Sequence, residues 1–336
     1  MVGLLRIKGS IDLEQFWPDG SSDADTSKVI VDVAKDGFSY AADGKKFKAT
    51  RVFNNAFVKG AKKAPLINAK RQITVRLQGV DAPELHYRAA ALKSSSAISD
   101  KKRAAFNEAN RPNRRQYWAE TATVALAKKL QAFGKQSIKC EVYSYVDQPR
   151  ELPDTYGRVV GNICVGKGFK TDINLWLVSE GWAFPTFYSS MSNDEIEAFL
   201  KAHAKGKTKK RTLRSYSHKL NKFDAKLLFR GEGVDIEAAA DKGDVIMPKL
   251  YRRQVAYQMQ RKAKVFSGTF RDYLEANADR CFRTSEFLKE GVHTAASVML
   301  HDFVKGATFG LQPHEVVFKE KFSTLVDSKG KEIVKF

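Results

Sequence analysis

Apolar and polar residues alternate in a series of short runs through the first half of the chain. Val29 to Val33, Phe38 to Ala42, Arg71 to Val80, Ser137 to Tyr145 and Val159 to Val165 place Val, Ile, Leu or aromatic side chains at every second position, or fill the run with them. That pattern predicts strands with one or both faces buried. Lys46 to Phe53 predicts a further strand, joined to Phe38–Ala42 through Asp43-Gly44, a pair suited to a two-residue hairpin turn. Residues 1 to 20 are short and mixed, and Trp17-Pro18-Asp19-Gly20 reads as a turn.

A longer period takes over elsewhere. Arg114 to Phe133 sets Trp118, Ala122, Ala125, Leu126 and Leu130 on one helical face, and both Trp118 and Trp176 read as core. Thr171-Asp172 can cap a helix through Leu175, Trp176 and Val178 that stops at Gly181. Ser192-Asn193-Asp194-Glu195 is a capping pattern that opens another through Ile196, Phe199 and Leu200. The stretch from Glu84 to Asn113 is polar and predicts no element. Lys205 to Lys222 is basic and rich in small residues, and reads as a helix end or linker. Beyond it, helices are predicted at Lys249–Phe266, Thr269–Cys281 and Ala295–Phe303. A closing hairpin is predicted from Val316–Phe322 and Ser323–Phe336 around Asp327-Ser328-Lys329-Gly330. Strands first, interleaved with three helices, suit an α+β fold built on a small closed β-barrel. The 336 residues are comfortable for two domains, here 1–220 and a mainly helical 221–336.

Charge sharpens the choice of partner. The formal net charge is +20, which favours polyanions, with nucleic acid ahead of an anionic membrane surface. No run of about 20 apolar residues is present, so no membrane span is expected. Residues 44–71 contain no Asp or Glu, so Lys45, Lys46, Lys62 and Lys63 are candidate contacts to a nucleic-acid backbone. Cys140, Cys164 and Cys281 lack metal-ligand or disulfide-framework spacing and read as reduced core thiols. Met1 to Lys8 lacks the apolar core of a signal peptide, which points to the cytosol; export stays open if a leader preceded this numbering.

Three motifs carry candidate chemistry. Val75-Arg76-Leu77-Gln78-Gly79-Val80-Asp81-Ala82-Pro83-Glu84 runs an arginine along a buried strand into a turn with two carboxylates. Charges held so near a core need partners, and a metal ion and a phosphate would supply them. Asp154-Thr155-Tyr156-Gly157-Arg158 leads a second arginine into another apolar strand. Asp23-Ala24-Asp25-Thr26 sets two carboxylates and a hydroxyl just ahead of a third.

Taken in order, these motifs resemble those of the staphylococcal nuclease family over roughly residues 10 to 205, and the last third of the chain is not covered. The resemblance implies an OB-fold five-stranded β-barrel with three appended helices. It also implies a Ca²⁺-dependent phosphodiesterase that cuts DNA, with RNA left open, at little sequence preference, giving 3′-phosphate and 5′-hydroxyl ends. Carried over by position, it makes Asp25, Asp81 and the carbonyl of Ala82 the metal ligands. Glu84 would orient or deprotonate the attacking water, and Arg76 and Arg158 would contact the phosphate. Tyr156 would touch a terminal phosphate, and Phe187 and Tyr188 fall near the family's active-site aromatics, where bases stack. His86 receives no role. Asp36-Gly37-Phe38-Ser39 is a competing match for the first acidic motif, but it would put Phe38 where a ligand belongs. Preferring Asp25 requires a long insert before Arg76, assigned to an elongated hairpin. Two other readings stand beside the enzyme. One is a non-catalytic OB module with a C-terminal partner-recognition domain. The other makes the C-terminal domain an inhibitor, a targeting unit or a means of self-association.

Overall fold

The computed structural model describes residues 3–32, 37–49, 53–59, 64–95, 97–222, 224, 226–239, 241–292, 294–321 and 323–335. Five strands close a barrel. β1 (Leu4–Asp12) pairs antiparallel with β2 (Thr26–Val31), and β2 pairs antiparallel with β3 (Gln72–Leu77). β4 (Ser137–Tyr145) pairs antiparallel with both β1 and β5 (Val159–Val165), and β5 runs parallel to β3, which completes the ring. Alternation explains the closure: Leu5, Ile7, Ile11, Val29, Ile73, Val75, Val142 and Val159 all turn into one buried core. This is the OB-type barrel of the α+β fold expected above.

β1 is the strand that the hydrophobic pattern understated. Its alternation is interrupted at Gly9, where an added Cβ would lie 2.4 Å from the Ile30 carbonyl oxygen. Only glycine lets β1 cross β2 that closely. The hairpin Phe38–Ala42 to Lys45–Lys48 extends the sheet beyond β1, turning at Asp43 (φ 49°) and Gly44 (φ 73°). The predicted strand to Phe53 stops at Lys48, because Ala49 and Phe53 turn into the core instead. α1 (Asp100–Ala109) forms where no element was predicted. It buries none of its residues, so its sequence carries no apolar stripe. α2 (Ala119–Gln131) begins five residues later than its periodicity, after Trp118 at φ 69°. α3 (Ile173–Ser179) is capped by the Asp172 side chain and α4 (Asn193–Gly206) by Ser192, as the sequence indicates. The basic tract after α4 is packed: Arg211 Nη1 donates to Glu180 Oε2 at 2.7 Å.

The C-terminal third is stitched onto the barrel. α5 (Pro248–Lys262), α6 (Phe270–Asn277) and α7 (Thr284–Glu290) are joined by strands as well as loops. β6 (Phe187–Tyr188) runs parallel to β8 (Val316–Phe318), which runs antiparallel to β7 (Arg280–Arg283). β9 (Thr324–Val326) pairs with the short strand Phe57–Lys59. The predicted hairpin does not form at its predicted length, since β8 and β9 take different partners; a short turn at 327–330 closes through the Val326–Glu332 bridge, with Asp327 N donating to Lys331 O at 2.8 Å and Ile333 N to Leu325 O at 2.9 Å. Ala295–Phe303 is not a helix but a short strand and a 3-10 turn, and Cys281 lies in β7 rather than in α6. The barrel core takes in Phe282, Phe287, Val317 and Leu325 from beyond residue 220, while a second core drawn mostly from that third gathers Leu250, Tyr251, Leu274 and Phe309. Exposed strand edges need partners, and the tail supplies them. The three cysteines are free and buried. Among the described residues no helix is long and apolar enough to cross a membrane.

Candidate active site

Backbone register builds the site. Thr26, which opens β2, lies opposite Arg76 near the end of β3, and Leu77 N donates to Asp25 O at 2.9 Å. The β3–β5 pairing, Val160 opposite Arg76, brings the start of β5 and Arg158 to the same barrel end. A tight turn at Gly79 (φ 73°) redirects the chain, and Asp81 pairs with Phe184. Asp25, Arg76, Asp81, Ala82, Glu84 and Arg158, spread over more than a hundred residues of sequence, thus meet at one end of the barrel.

Arg76 links the two aspartates. Its Nη1 is 2.7 Å from Asp25 Oδ2 and its Nη2 is 2.8 Å from Asp81 Oδ1. Asp25 Oδ2 also accepts from Ala82 N at 3.1 Å, and Asp25 Oδ1 accepts from the Thr26 hydroxyl at 2.9 Å. Burial works to raise the Asp25 carboxyl, but Arg76 and Arg158 outweigh it and hold it below its ordinary range. Its neighbour Asp23 goes the other way, pushed well up by burial and then by the charge on Asp25. Burial pushes Glu84 up to about 7, against the opposing pull of a nearby arginine, Arg252.

Arg158 is set by its own turn. Asp154 Oδ1 accepts from the backbone N of Tyr156 and of Arg158, both at 2.9 Å, and Asp154 Oδ2 accepts from Arg158 Nε at 2.8 Å. Arg158 Nη1 then donates to Thr26 Oγ1 at 3.3 Å. Tyr156 stands 84% exposed, with the Arg158 guanidinium 5.5 Å from its ring centre. Tyr188 is partly buried and is pushed up to about 12 by burial, with Arg76 and Arg252 acting against that rise. His86 Nδ1 lies 3.9 Å from Asp23 Oδ2, at the edge of the cluster.

Several expectations need correction. Phe187 cannot stack on a base: its ring is fully enclosed in the barrel core. Lys45 and Lys46 are exposed, but they lie on the outer hairpin, with β1, β2 and Phe38–Ala42 between them and the strand of Arg76. Lys62 and Lys63 fall outside the described residues, as does Asp36. Phe38, the residue that the competing match would put in the site, is a core side chain stacked on Phe53 at 4.9 Å.

The sequence reading missed Arg252. This α5 residue bonds through Nη1 to Glu84 Oε1 and lies 3.7 Å from Asp81 Oδ1. No local motif marks it. Gln116 prepares its approach: it accepts from Glu84 N at 3.1 Å and donates to Ile246 O at 2.9 Å, tying the acidic turn to the chain just before α5.

Among the described residues, one carboxylate oxygen between these arginines lacks a hydrogen-bond partner. Asp81 Oδ2 is buried without a hydrogen bond, an expensive arrangement for a carboxylate. A hard oxygen-seeking cation would satisfy it, and Asp25, Asp81 and the carbonyl of Ala82 offer the oxygen donors such an ion prefers. Among the described residues no three His, Cys, Asp or Glu side chains form a metal cluster; this donor set has only two such side chains, the third donor being main chain.

Residues 74–216 match the family model described as staphylococcal nuclease homologue. The matched stretch contains Arg76, Asp81, Glu84, Tyr156 and Arg158; Asp25 and Arg252 lie outside it. No curated protein matches the chain.

Proposed function

From the staphylococcal nuclease domain that residues 74–216 carry, we propose that the chain is a Ca²⁺-dependent nuclease. It hydrolyses phosphodiester bonds of DNA, with RNA as a second substrate class, and leaves 3′-phosphate and 5′-hydroxyl ends. One observation carries this reading: Asp25 and Asp81 converge on Arg76 beside Glu84, while Asp81 Oδ2 is buried without a hydrogen-bond partner among the described residues.

Asp25, Asp81 and the Ala82 carbonyl would hold the cation, which when bound supplies charge neutralisation and Lewis acidity toward a phosphate oxygen. Glu84, pushed up to about 7, can hold a water and accept its proton near neutral pH. Arg76 and Arg158 donate to phosphate oxygens and never lose their protons. Tyr156, exposed beside Arg158, would contact a neighbouring phosphate. A site that grips phosphate and sugar carries little sequence preference, and the +20 charge draws in the polyanion.

A second reading has its own support: protein guanidiniums already face Asp25, Asp81 and Glu84, as in a binding module that needs no metal. Supercoiled plasmid incubated with Ca²⁺, and with Ca²⁺ plus chelator, separates the two. Nicking that the chelator abolishes, and that Arg76→Ala lowers by about 10²–10³-fold, supports the enzyme. Intact plasmid that still shifts on a gel supports the module.

A further inference from the structure

Arg76 and Arg158, the two phosphate-contact candidates, are already engaged by protein. Arg158 places Nε and Nη2 on Asp154 Oδ2 and Nη1 on Thr26 Oγ1. Arg76 places Nη1 on Asp25 and Nη2 on Asp81. A phosphate that reaches either one meets a guanidinium whose Nη groups are already committed to protein oxygens.

Arg252 differs. Its Nη1 is on Glu84 Oε1 and 3.7 Å from Asp81 Oδ1, while its Nε and Nη2 have no acceptor among the described residues. Those two nitrogens form the side edge of the guanidinium, the fork that grips two oxygens at once. The side chain is 33% exposed, so solvent or substrate can reach it. The other cations at the start of α5 point elsewhere: Arg253 Nε bonds Asp279 Oδ2 at 2.9 Å, and Lys249 Nζ sits 4.1 Å over the Phe318 ring. The backbone around Arg252 is fastened, with the Tyr87 hydroxyl donating to its carbonyl at 3.2 Å and the Tyr251 hydroxyl donating to Arg115 O at 3.0 Å.

We propose that Arg252 is a third catalytic arginine of this site, holding Glu84 through Nη1 while its Nε–Nη2 edge takes a nonbridging oxygen of the substrate phosphate. The inference rests on the nuclease reading for the reaction. It makes the chain beyond residue 220 a working component of the active site. A donor fork with no prior acceptor breaks no protein bond when substrate arrives, which is the arrangement that stabilises charge growing on the phosphate. Arg252 also joins water-side and phosphate-side chemistry in one planar group.

The test uses the full chain. Arg252→Ala and Arg252→Lys are compared with wild type for Ca²⁺-dependent cleavage of a fluorescent single-stranded oligonucleotide, for binding of its phosphorothioate analogue, and for thermal unfolding. The expected result is a loss of about 100-fold in kcat for the Ala variant, with a smaller change in KM and an unchanged melting midpoint. The Lys variant should recover some of the rate, since an ammonium can serve Glu84 or phosphate but lacks the fork. Added guanidinium ion should restore some activity to the Ala variant. Cleavage by the Ala variant within roughly threefold of wild type overturns the proposal. So does a lowered melting midpoint with no recovery by Lys or guanidinium, which marks a structural role. If wild type does not cleave at all, the nuclease reading fails and binding decides Arg252. Affinity about tenfold weaker in the Ala variant then supports the phosphate contact, and unchanged affinity overturns it.

Discussion

Asn174 lies in the first turn of α3, fully buried, and its amide fastens the acidic turn to the barrel. Its Oδ1 accepts from Ile163 N at 3.1 Å, and its Nδ2 donates to Gln78 O at 2.9 Å and to Gly161 O at 3.2 Å. The β3–β5 pairing runs out at Leu77 and Gly161, so this one side chain extends the ladder to where the Asp81–Glu84 turn leaves. Asn174→Ala strands the Ile163 amide and the Gln78 carbonyl; Gly161 O keeps its bond from Gln78 N at 2.9 Å. A buried backbone group left without a partner costs about 1–3 kcal/mol, so two such groups and the small void together cost about 3 kcal/mol. At about 2–4 °C per kcal/mol, the melting midpoint should fall by roughly 6–12 °C. On the proposed nuclease function, cleavage should suffer separately, because a shift of about 1 Å in Asp81 or Glu84 can cost about 10²-fold. Circular dichroism melts and Ca²⁺-dependent cleavage read the two effects. Asn174→Asp keeps the acceptor but loses both donors and buries a charge, so it should melt lower than the Ala variant at neutral pH. An Ala variant that melts within about 2 °C of wild type would refute the reasoning.

Gly79 adopts φ 73°, and an added Cβ would sit 2.3 Å from the Phe199 ring. Gly79→Ala should destabilise by about 2–4 kcal/mol, seen as a lower urea midpoint with unchanged slope, and Gly79→Ala paired with Phe199→Ala should recover some of it. A Gly79→Ala variant as stable as wild type would show that the turn can relax. The stacked rings of His203, in α4, and His314, in the Pro313–Glu315 turn, have centres 4.2 Å apart, and both Nδ1 atoms are buried without partners. Burial, and then His314, push His203 down to about 4 from an ordinary 6.5. The unfolded chain therefore takes up a proton that the folded one refuses, so this term is neutral above pH 6.5 and stability is lost as pH falls from 6.5 toward 4. In His203→Phe the drop in melting midpoint across that window should shrink relative to wild type; parallel curves would rule the pair out as a contributor.

Much of the barrel was legible in the sequence, because alternation survives in short strands whose two faces meet different surroundings. Phe38–Ala42, Ser137–Tyr145 and Val159–Val165 run as the pattern reads them. The caps at Asp172 and Ser192 are local chemistry and also fall where expected. β1 was hidden by Gly9, needed for a close crossing that only the folded barrel reveals. α1 was hidden because it buries no residue and so leaves no periodic trace. The Ala295–Phe303 segment and the C-terminal hairpin were misread because their partners, β7 and Phe57–Lys59, are remote in the chain.

The site divides along the same line. Asp25, Arg76, Asp81, Glu84 and Arg158 could be singled out because they sit in three short local motifs whose order resembles that of the staphylococcal nuclease family. Phe187 and Tyr188 look equivalent in sequence, yet one ring is enclosed in the barrel core and the other feels the charges of Arg76 and Arg252, because successive residues of a strand point to opposite faces and only the fold decides what each face meets. Arg252 had no local mark at all, because its meaning comes from Glu84, 168 residues away. What the linear chain determined was its periodicities, its caps and the charged groups offered to a polyanion. Which of those groups face one another was decided only in three dimensions, where barrel closure and the edge strands' need for hydrogen-bond partners draw the C-terminal third against the acidic turn.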